Sequence, residues 1–317
     1  MDNESRRHHY LPEFYIKKFC NSDGKIFIHD KLHGKKVGNI SPKAPKSIFF
    51  EWDRNTINSD GKKTKIIEVI YREIEDQIAP YLSKLKSLEF KDNGDLIDVA
   101  VLRNLIYLGY LTKWRVPEID PLLDKLNSSQ LSKELNFFSQ TEDDVLVYNS
   151  TMKPEFAKEI NRLILPTDLF SDTEKYDKVF KDTFILTFPE PLFLTDNPFV
   201  EFATNNNQKF PSFIFPLTSN SLLIYCESID KHEFSRFMED AVSANYFMQV
   251  LYKVVQVTLM TNAQKYVGCQ DRECLCEAIS TIHEKVKALN EQGRSPNNVA
   301  FRVLELYKSF DQTSPNI

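Results

Sequence analysis

Residues 183–226 read TFILTFPEPLFLTDNPFVEFATNNNQKFPSFIFPLTSNSLLIYC. Five short runs in this stretch are rich in aromatic and β-branched side chains: Thr183 to Phe188, Pro191 to Thr195, Phe199 to Ala203, Phe213 to Leu217 and Leu222 to Cys226. Prolines and the turn Asn205 to Asn207 separate them, which predicts a small sheet. On both sides the apolar spacing lengthens to that of helices. Downstream, Asp230 and Glu233 resemble a capping box. The stripe Phe234, Phe237, Met238, Ala241, Met248 and Leu251 follows, with Asn245 on the same face. Asp271 and Asn297 look like later helix caps. Upstream, Ile66, Ile70, Ile74, Ile78 and Leu82 recur along one helix face. Pro80 is expected to kink or interrupt that helix. Asp95 and Asp98 predict the start of the next one, which Pro117 should close near Arg115. Asp120–Pro121 and Pro154 to about Leu165 predict two more.

Near the N-terminus, Lys25 to Asp30 alternates like a strand and Lys46 to Glu51 is a second candidate. Strands and helices kept in separate runs predict an α+β fold. It should be mostly helical, with a short N-terminal strand pair and a small sheet near residues 183–226. We expect a single domain over 1–317 with a soft internal boundary near residue 170. Residues 1–170 would hold a basic N-terminal segment plus helices, and 171–317 the small sheet plus C-terminal helices.

Composition sets the outer limits. The chain has 317 residues, 42% of them hydrophobic, with 24 Phe and 13 Tyr. That is enough to bury a sizeable core and excludes a disordered or collagenous chain. Eight glycines are few, which argues against folds built on glycine-rich phosphate loops. Residues 1–63 carry 13 Lys and Arg against 8 Asp and Glu, so the local charge is +5 while the whole chain is −5. Met1 to Phe14 lacks the apolar core of a secretory signal, and no run of ~18 apolar residues exists. A cytoplasmic protein without a membrane span is the expectation. The five cysteines do not read as a disulfide framework. Cys269, Cys274 and Cys276, with His283 further on, are read as ordinary buried thiols before a metal site.

Three segments carry residues suited to chemistry. The densest is Arg6 to Phe19, with His8 and His9 beside two arginines. Adjacent histidines on an extended chain point to opposite sides. An imidazole titrates near neutral pH, so either one can relay a proton, hold a metal or meet a phosphate. The competing reading is a structural histidine that satisfies backbone groups. Thr195-Asp196-Asn197-Pro198 follows a strand-like run. There Asp196 and Asn197 either close a turn or place a carboxylate for a metal or a histidine. Asn245, on an apolar stripe, is read first as a core hydrogen-bonding amide and second as a site-facing one. Glu68 and Glu75 share a helix side with Arg72 between them, which reads as an ion-pair ladder before a metal or acid–base pair. Arg115 ends its helix, where a cation suits the dipole. No Walker loop, nucleophile elbow, zincin motif or dinucleotide fingerprint is present, which disfavours those enzyme classes.

Taken in order, these residues resemble the bacterial domain-of-unknown-function family 4238. The opening signature of that family is matched by His8-His9-Tyr10-Leu11-Pro12-Glu13-Phe14-Tyr15-Ile16-Lys17-Lys18-Phe19. Gly24, Ile26 and Asp30 fit its next strand. Ile74-Glu75, Arg115-Val116-Pro117, Thr195 to Pro198, Pro216-Leu217-Thr218, and Asn245 with Tyr252 fit its later elements. The resemblance covers about residues 8–268 and implies a bacterial cytoplasmic protein. Members look like accessory genes of mobile or antiviral islands, an association rather than an activity. Asp196-Asn197-Pro198-Phe199 is also similar to the catalytic loop of nucleic-acid amino-methyltransferases, but the chain lacks their glycine-rich cofactor turn.

The leading expectation is a nuclease-type phosphodiester hydrolase used in antiviral defence. His8 or His9 would act as general acid or base, and Asp196, Asn197 and Arg115 would complete the catalytic set. Asp196 and Glu75 would hold Mg2+ or Mn2+. Arg115, with Arg6 or Arg7, would neutralise phosphate, and the basic N-terminal segment would meet nucleic acid. The alternative is a non-catalytic sensor or partner-binding protein in which the same motifs are structural, and which binds another protein. If the hydrolase reading holds, His8 or His9 should lie beside Asp196 at an open cleft. Histidines sealed in and bonded to backbone favour the alternative. Oligomeric state is not legible.

Overall fold

The computed structural model describes residues 6–32, 39–59, 62–85, 99–124, 157–167, 173–202, 211–291 and 303–304. Asp95, Asp98, Pro154, Asn205 to Asn207 and Asn297 lie outside them. The fold is α+β and mostly helical, with small antiparallel sheets. The chain divides into two compact units. The first comprises Met1–Pro12 and Phe49–Tyr176, the second Glu13–Ile48 and Asp177–Ile317.

In the first unit the N-terminal strand pair is Arg7–His9 against Phe50–Trp52, with His8 opposite Glu51 and His9 opposite Phe50. The Lys46 to Glu51 run therefore enters the sheet only at its end; Pro45–Ser47 is a tight 3-10 turn. A hairpin, Ile57–Ser59 with Lys62–Thr64, leads into the helix Ile66–Lys84. That helix buries Ile67, Tyr71, Ile78 and Leu82, while Ile66 is exposed. Its inward face thus starts one residue later than the isoleucine spacing implied. It also runs through Pro80. The missing N–H falls one turn from the helix end on an exposed face, where water can meet the freed carbonyl. The helix Val99–Arg115 buries ten of its seventeen residues and stops before Pro117. Asp120–Leu123 and Ala157–Ile164 complete the described helices of this unit up to Thr167.

In the second unit, four of the five aromatic runs form one antiparallel sheet. Its strands are Thr183–Thr187, Ser221–Tyr225, Ser212–Pro216 and Val200–Phe202, in that order across the sheet. Strands Ser212–Pro216 and Ser221–Tyr225 are buried at every position. The fifth run goes elsewhere. Pro189 and Pro191 break its start, and only Leu194–Thr195 pairs, against Tyr266–Cys269 in a second sheet with Ile26–Asp30 and Ile40–Lys43. Gly268 sits opposite Ile28 there, and a Cβ on it would lie 2.6 Å from the tip of Ile26 and 2.8 Å from that of Ile28. Helices Lys231–Glu239 and Ala241–Asn262 cover the first sheet, and Arg272–Glu291 packs beside the second.

The capping expectations hold at two helix starts. Asp230 Oδ1 accepts from the Glu233 N–H at 2.9 Å, and Asp271 Oδ1 accepts from Glu273 and Cys274. Asn245 is a correction. A break at Asp240 resets the helical phase, so the buried face of Ala241–Asn262 is Ala244, Phe247, Leu251, Val255 and Leu259. Asn245 is exposed, and its Oδ1 accepts from Gln249 Nε2 at 3.4 Å.

Candidate functional site

The first unit carries a hydrogen-bonded network that begins on its N-terminal strand. Strand alternation puts Arg7 outside and His8 wholly inside. The Arg7 guanidinium lies 5.1 Å from the centroids of both Phe50 and Trp52. His8 Nδ1 accepts the backbone N–H of Asn55 at 2.8 Å, so the proton of a neutral ring sits on Nε2. Asn55 in turn donates its amide to Glu68 Oε2 at 2.7 Å. His9 is half-buried, edge-on to Phe50 with centroids 5.9 Å apart.

The turn that holds His8 is itself clamped. Asp53 has a left-handed backbone, φ 56°, and binds the Arg6 guanidinium, with Nε donating to Oδ2 at 2.9 Å. Phe49, on the other side of the Phe50–Trp52 strand, is also left-handed at φ 53° and fully buried. Such a conformation in a bulky residue costs on the order of 1–3 kcal/mol and persists only where its surroundings impose it. Here the Tyr10 N–H holds the Phe49 carbonyl at 3.0 Å.

Three arginines form the centre. Arg115 is 2% exposed. It gives Nη1 to Glu75 Oε1 at 2.6 Å and Nη2 to the His9 carbonyl at 2.7 Å, and it lies over the Tyr71 ring at 4.0 Å. Burial works against its charge, but the nearby Glu75 outweighs that and holds the guanidinium proton more firmly than usual. Arg54 forks onto Asp120, both bonds at 2.9 Å, also gives Nη2 to the Arg115 carbonyl at 2.8 Å, and pairs with Glu51. Arg162 gives Nη2 to the same Asp120 Oδ1 at 2.6 Å. Burial alone would raise the Asp120 carboxyl; Arg54 and Arg162 hold it below the ordinary carboxylate range.

The helix-end reading of Arg115 therefore understates it. Its charge is committed to Glu75 and to the N-terminal strand, rather than to a helix terminus in water. The ladder through Arg72 is likewise replaced: Glu68 serves Asn55 and Glu75 serves Arg115. Of the six residues given catalytic or metal-binding roles from the sequence, His8, His9, Glu75 and Arg115 belong to this one network. Arg54, Asp120 and Arg162 were missed. Their signal was weak, since each looks like an ordinary surface residue at a turn, a helix start or a helix end.

Asp196 and Asn197 belong to the second unit. Asp196 Oδ1 accepts the Gln264 N–H at 3.0 Å, and Oδ2 accepts those of Lys265 and Tyr266 at 2.7 and 3.2 Å. Burial raises its carboxyl in spite of these three donors. The Asn197 carbonyl accepts from Asn262 Nδ2 at 2.8 Å. The cysteines are free thiols. A hydrogen bond with Cys269 draws the Cys274 thiol down to about 7, with Tyr252 Oη 3.8 Å from it adding to the effect. Among the described residues no three His, Cys, Asp or Glu side chains are grouped to hold a metal ion, and no helix is long and apolar enough to cross a membrane. An open groove of about 750 Å³ in the first unit is lined by Gln77, Tyr81, Val99, Ala100, Arg103 and Asn104, none of which belongs to the network.

No curated protein and no solved structure matches the chain. A family model does: residues 7–291 match the one described as protein of unknown function (DUF4238). The network spans residues inside that match, from His8 to Arg162, as does the Asp196 turn, and the chain belongs to the DUF4238 family.

Proposed function

We propose that the chain acts on phosphate esters as a nuclease-type hydrolase, and that the first unit carries the chemistry. The supporting observation is the gathering of three arginines, each 2–3% exposed in its side chain, with two histidines of the opening signature. Guanidiniums held in a low-dielectric setting are the groups best suited to take the charge of a phosphoryl oxygen. His9 is the acid–base residue in this reading. It takes a proton from the attacking water or gives one to the leaving oxygen, while the P–O bond to that oxygen breaks. His8 is a positioning residue, since its Nδ1 is engaged by Asn55. Asp196 is left out of this catalytic set; its oxygens accept three backbone N–H groups. Mg2+ or Mn2+ remains a component to test, with Glu75 its candidate ligand in this unit. Antiviral service in a bacterial cytoplasm belongs to the same proposal and rests on the family association.

A second reading has its own observation. His8 is fully buried and bonded to a backbone N–H, and Asp196 likewise serves backbone. That favours a non-catalytic sensor or partner-binding protein in which both motifs lock chain segments. Incubation of the purified chain with labelled DNA, RNA and tRNA, with Mg2+, Mn2+ or chelator, separates the two. The hydrolase reading expects cleavage that falls at least about 100-fold in His9→Ala and changes little in Asp196→Asn, provided that variant melts within a few degrees of wild type. Absence of cleavage by wild type on every substrate, or equal cleavage by His9→Ala, leaves the second reading.

A further inference from the structure

The ribbon of Arg7–His9 with Phe50–Trp52 has an outer face as well as an inner one. Strand alternation sends His8 and Glu51 to one side and Arg7, His9, Phe50 and Trp52 to the other. On that second side the register sets Arg7 against Trp52 and His9 against Phe50. The rings follow one another in a row. The His9 and Phe50 centroids are 5.9 Å apart with planes at 61°, and those of Phe50 and Trp52 are 5.8 Å apart at 90°. The exposed Arg7 holds its guanidinium 5.1 Å from the centroids of both Phe50 and Trp52. His9 and Phe50 are half-buried, whereas Trp52 is 60% exposed even with that guanidinium against it.

A single exposed apolar side chain is ordinary on a protein surface. Trp52 differs because it ends a row of rings and has a cation laid on it. An indole left 60% in water also forgoes much of the stabilisation that its large apolar area offers. The charge around it leans positive. Residues 6–9 and 50–64, the ribbon with the hairpin that follows it, hold Arg6, Arg7, Arg54, Lys62 and Lys63 against Glu51, Asp53 and Asp60. Glu51 pairs with Arg54, and Asp53 pairs with Arg6. Lys63 is exposed and near enough to Asp53 to help Arg6 hold that carboxyl below its ordinary range. Exposed rings among positive charges suit a polyanion that carries flat faces of its own. In a single nucleic-acid strand the bases can leave their neighbours and stack on a side chain; in a duplex they cannot. A guanidinium serves both parts of such a ligand, with a flat face for a base and N–H donors for a phosphate oxygen. A neutral sugar would also stack on an indole, but it would draw nothing from the charges.

We propose that Arg7, Phe50 and Trp52 form a stacking platform for single-stranded nucleic acid, with a base on Trp52 and the backbone phosphates on Arg7. This deepens the nuclease reading above by naming its substrate class, and it rests on that reading for its link to catalysis, since the row ends at His9. The chain has two tryptophans, Trp52 and Trp114, so intrinsic emission can report on the site. The full-length protein should be titrated in chelator with single strands of DNA and of RNA, about 12 nucleotides long, and with the matching duplexes. The proposal expects the single strands to quench emission and to bind at least about 10-fold more tightly than the duplexes. The quenching should vanish in Trp52→Ala and persist in Trp114→Phe. Loss of one stacked base should raise Kd about 10-fold or more in Trp52→Ala, and Trp52→Phe, which keeps a ring, should recover most of it. Trp52 is exposed, so Trp52→Ala should melt within a few degrees of wild type. Arg7→Ala should lower the salt dependence by about one phosphate contact. The platform is overturned if neither single strand quenches wild type up to about 100 μM, if duplexes bind as tightly, or if Trp52→Ala is quenched like wild type. Quenched binding without cleavage of any substrate supports the platform and removes hydrolysis. Cleavage that proceeds equally in Trp52→Ala, without quenching of wild type, removes the platform and leaves hydrolysis.

Discussion

The two units bury different things. In the first, Arg54, Arg115 and Arg162 are withdrawn from water against Asp120 and Glu75. In the second, Phe213, Phe215 and Leu222 to Tyr225 are withdrawn from water against other carbon. A hydrocarbon core gains from burial in rough proportion to area and needs no partner of fixed geometry. A buried charge gains little net stability and is costly when its partner is lost. The first unit thus holds three charges in fixed geometry at little net gain in stability.

The largest expected effect comes from breaking that position. Arg115→Ala should cost about 3–5 kcal/mol, read by chemical denaturation, because it strands Glu75 and frees the His9 carbonyl. Phe213→Ala in the second unit should cost a similar ~3–5 kcal/mol for a different reason, the cavity it leaves. Replacing both partners separates the causes. Arg115→Met with Glu75→Leu should recover most of the loss if the pair serves function rather than stability. A double variant as unstable as Arg115→Ala would mean that the charge network itself holds the unit together.

Acid titration contrasts two carboxylates. Asp120 is held below its ordinary range, so its stabilising contribution is present above the unfolded value, ~3.9, and is lost as pH falls through the folded one. Asp120→Asn should flatten that acid limb. Asp196 is raised, so the opposite sign applies: the native state binds its proton more tightly, and stability falls as pH rises through the carboxylate range. Asp196→Asn should remove that decline. Equal acid limbs in both variants and wild type would contradict the assignment. The smallest effect is local to the second unit. Alkylation of Cys274 should have a midpoint near 7, and Tyr252→Phe should move it upward.

The sequence carried the class of fold well, because aromatic runs cut by prolines and helical stripes between caps are local signals. It carried the pairing poorly. Nothing within Pro191 to Thr195 says that its end will pair with Tyr266–Cys269, some seventy residues on. The phase of Ala241–Asn262 turned on one break at Asp240, which moved Asn245 from the core to the surface. In the candidate site, His8, His9, Glu75 and Arg115 were legible as unusual or family-matching residues. Arg54 and Arg162 were not, since an arginine on a turn or a short helix looks solvated until it is seen to be buried.

Phosphate-ester chemistry in the first unit requires a phosphate group to meet a guanidinium there. Phosphorus NMR of adenosine monophosphate titrated with the full-length protein reads that contact at the atom concerned. We expect the resonance to broaden or shift with wild type and to stay at the free position with Arg162→Met. A resonance unmoved by wild type, at protein concentrations where the chain is folded, would contradict the account.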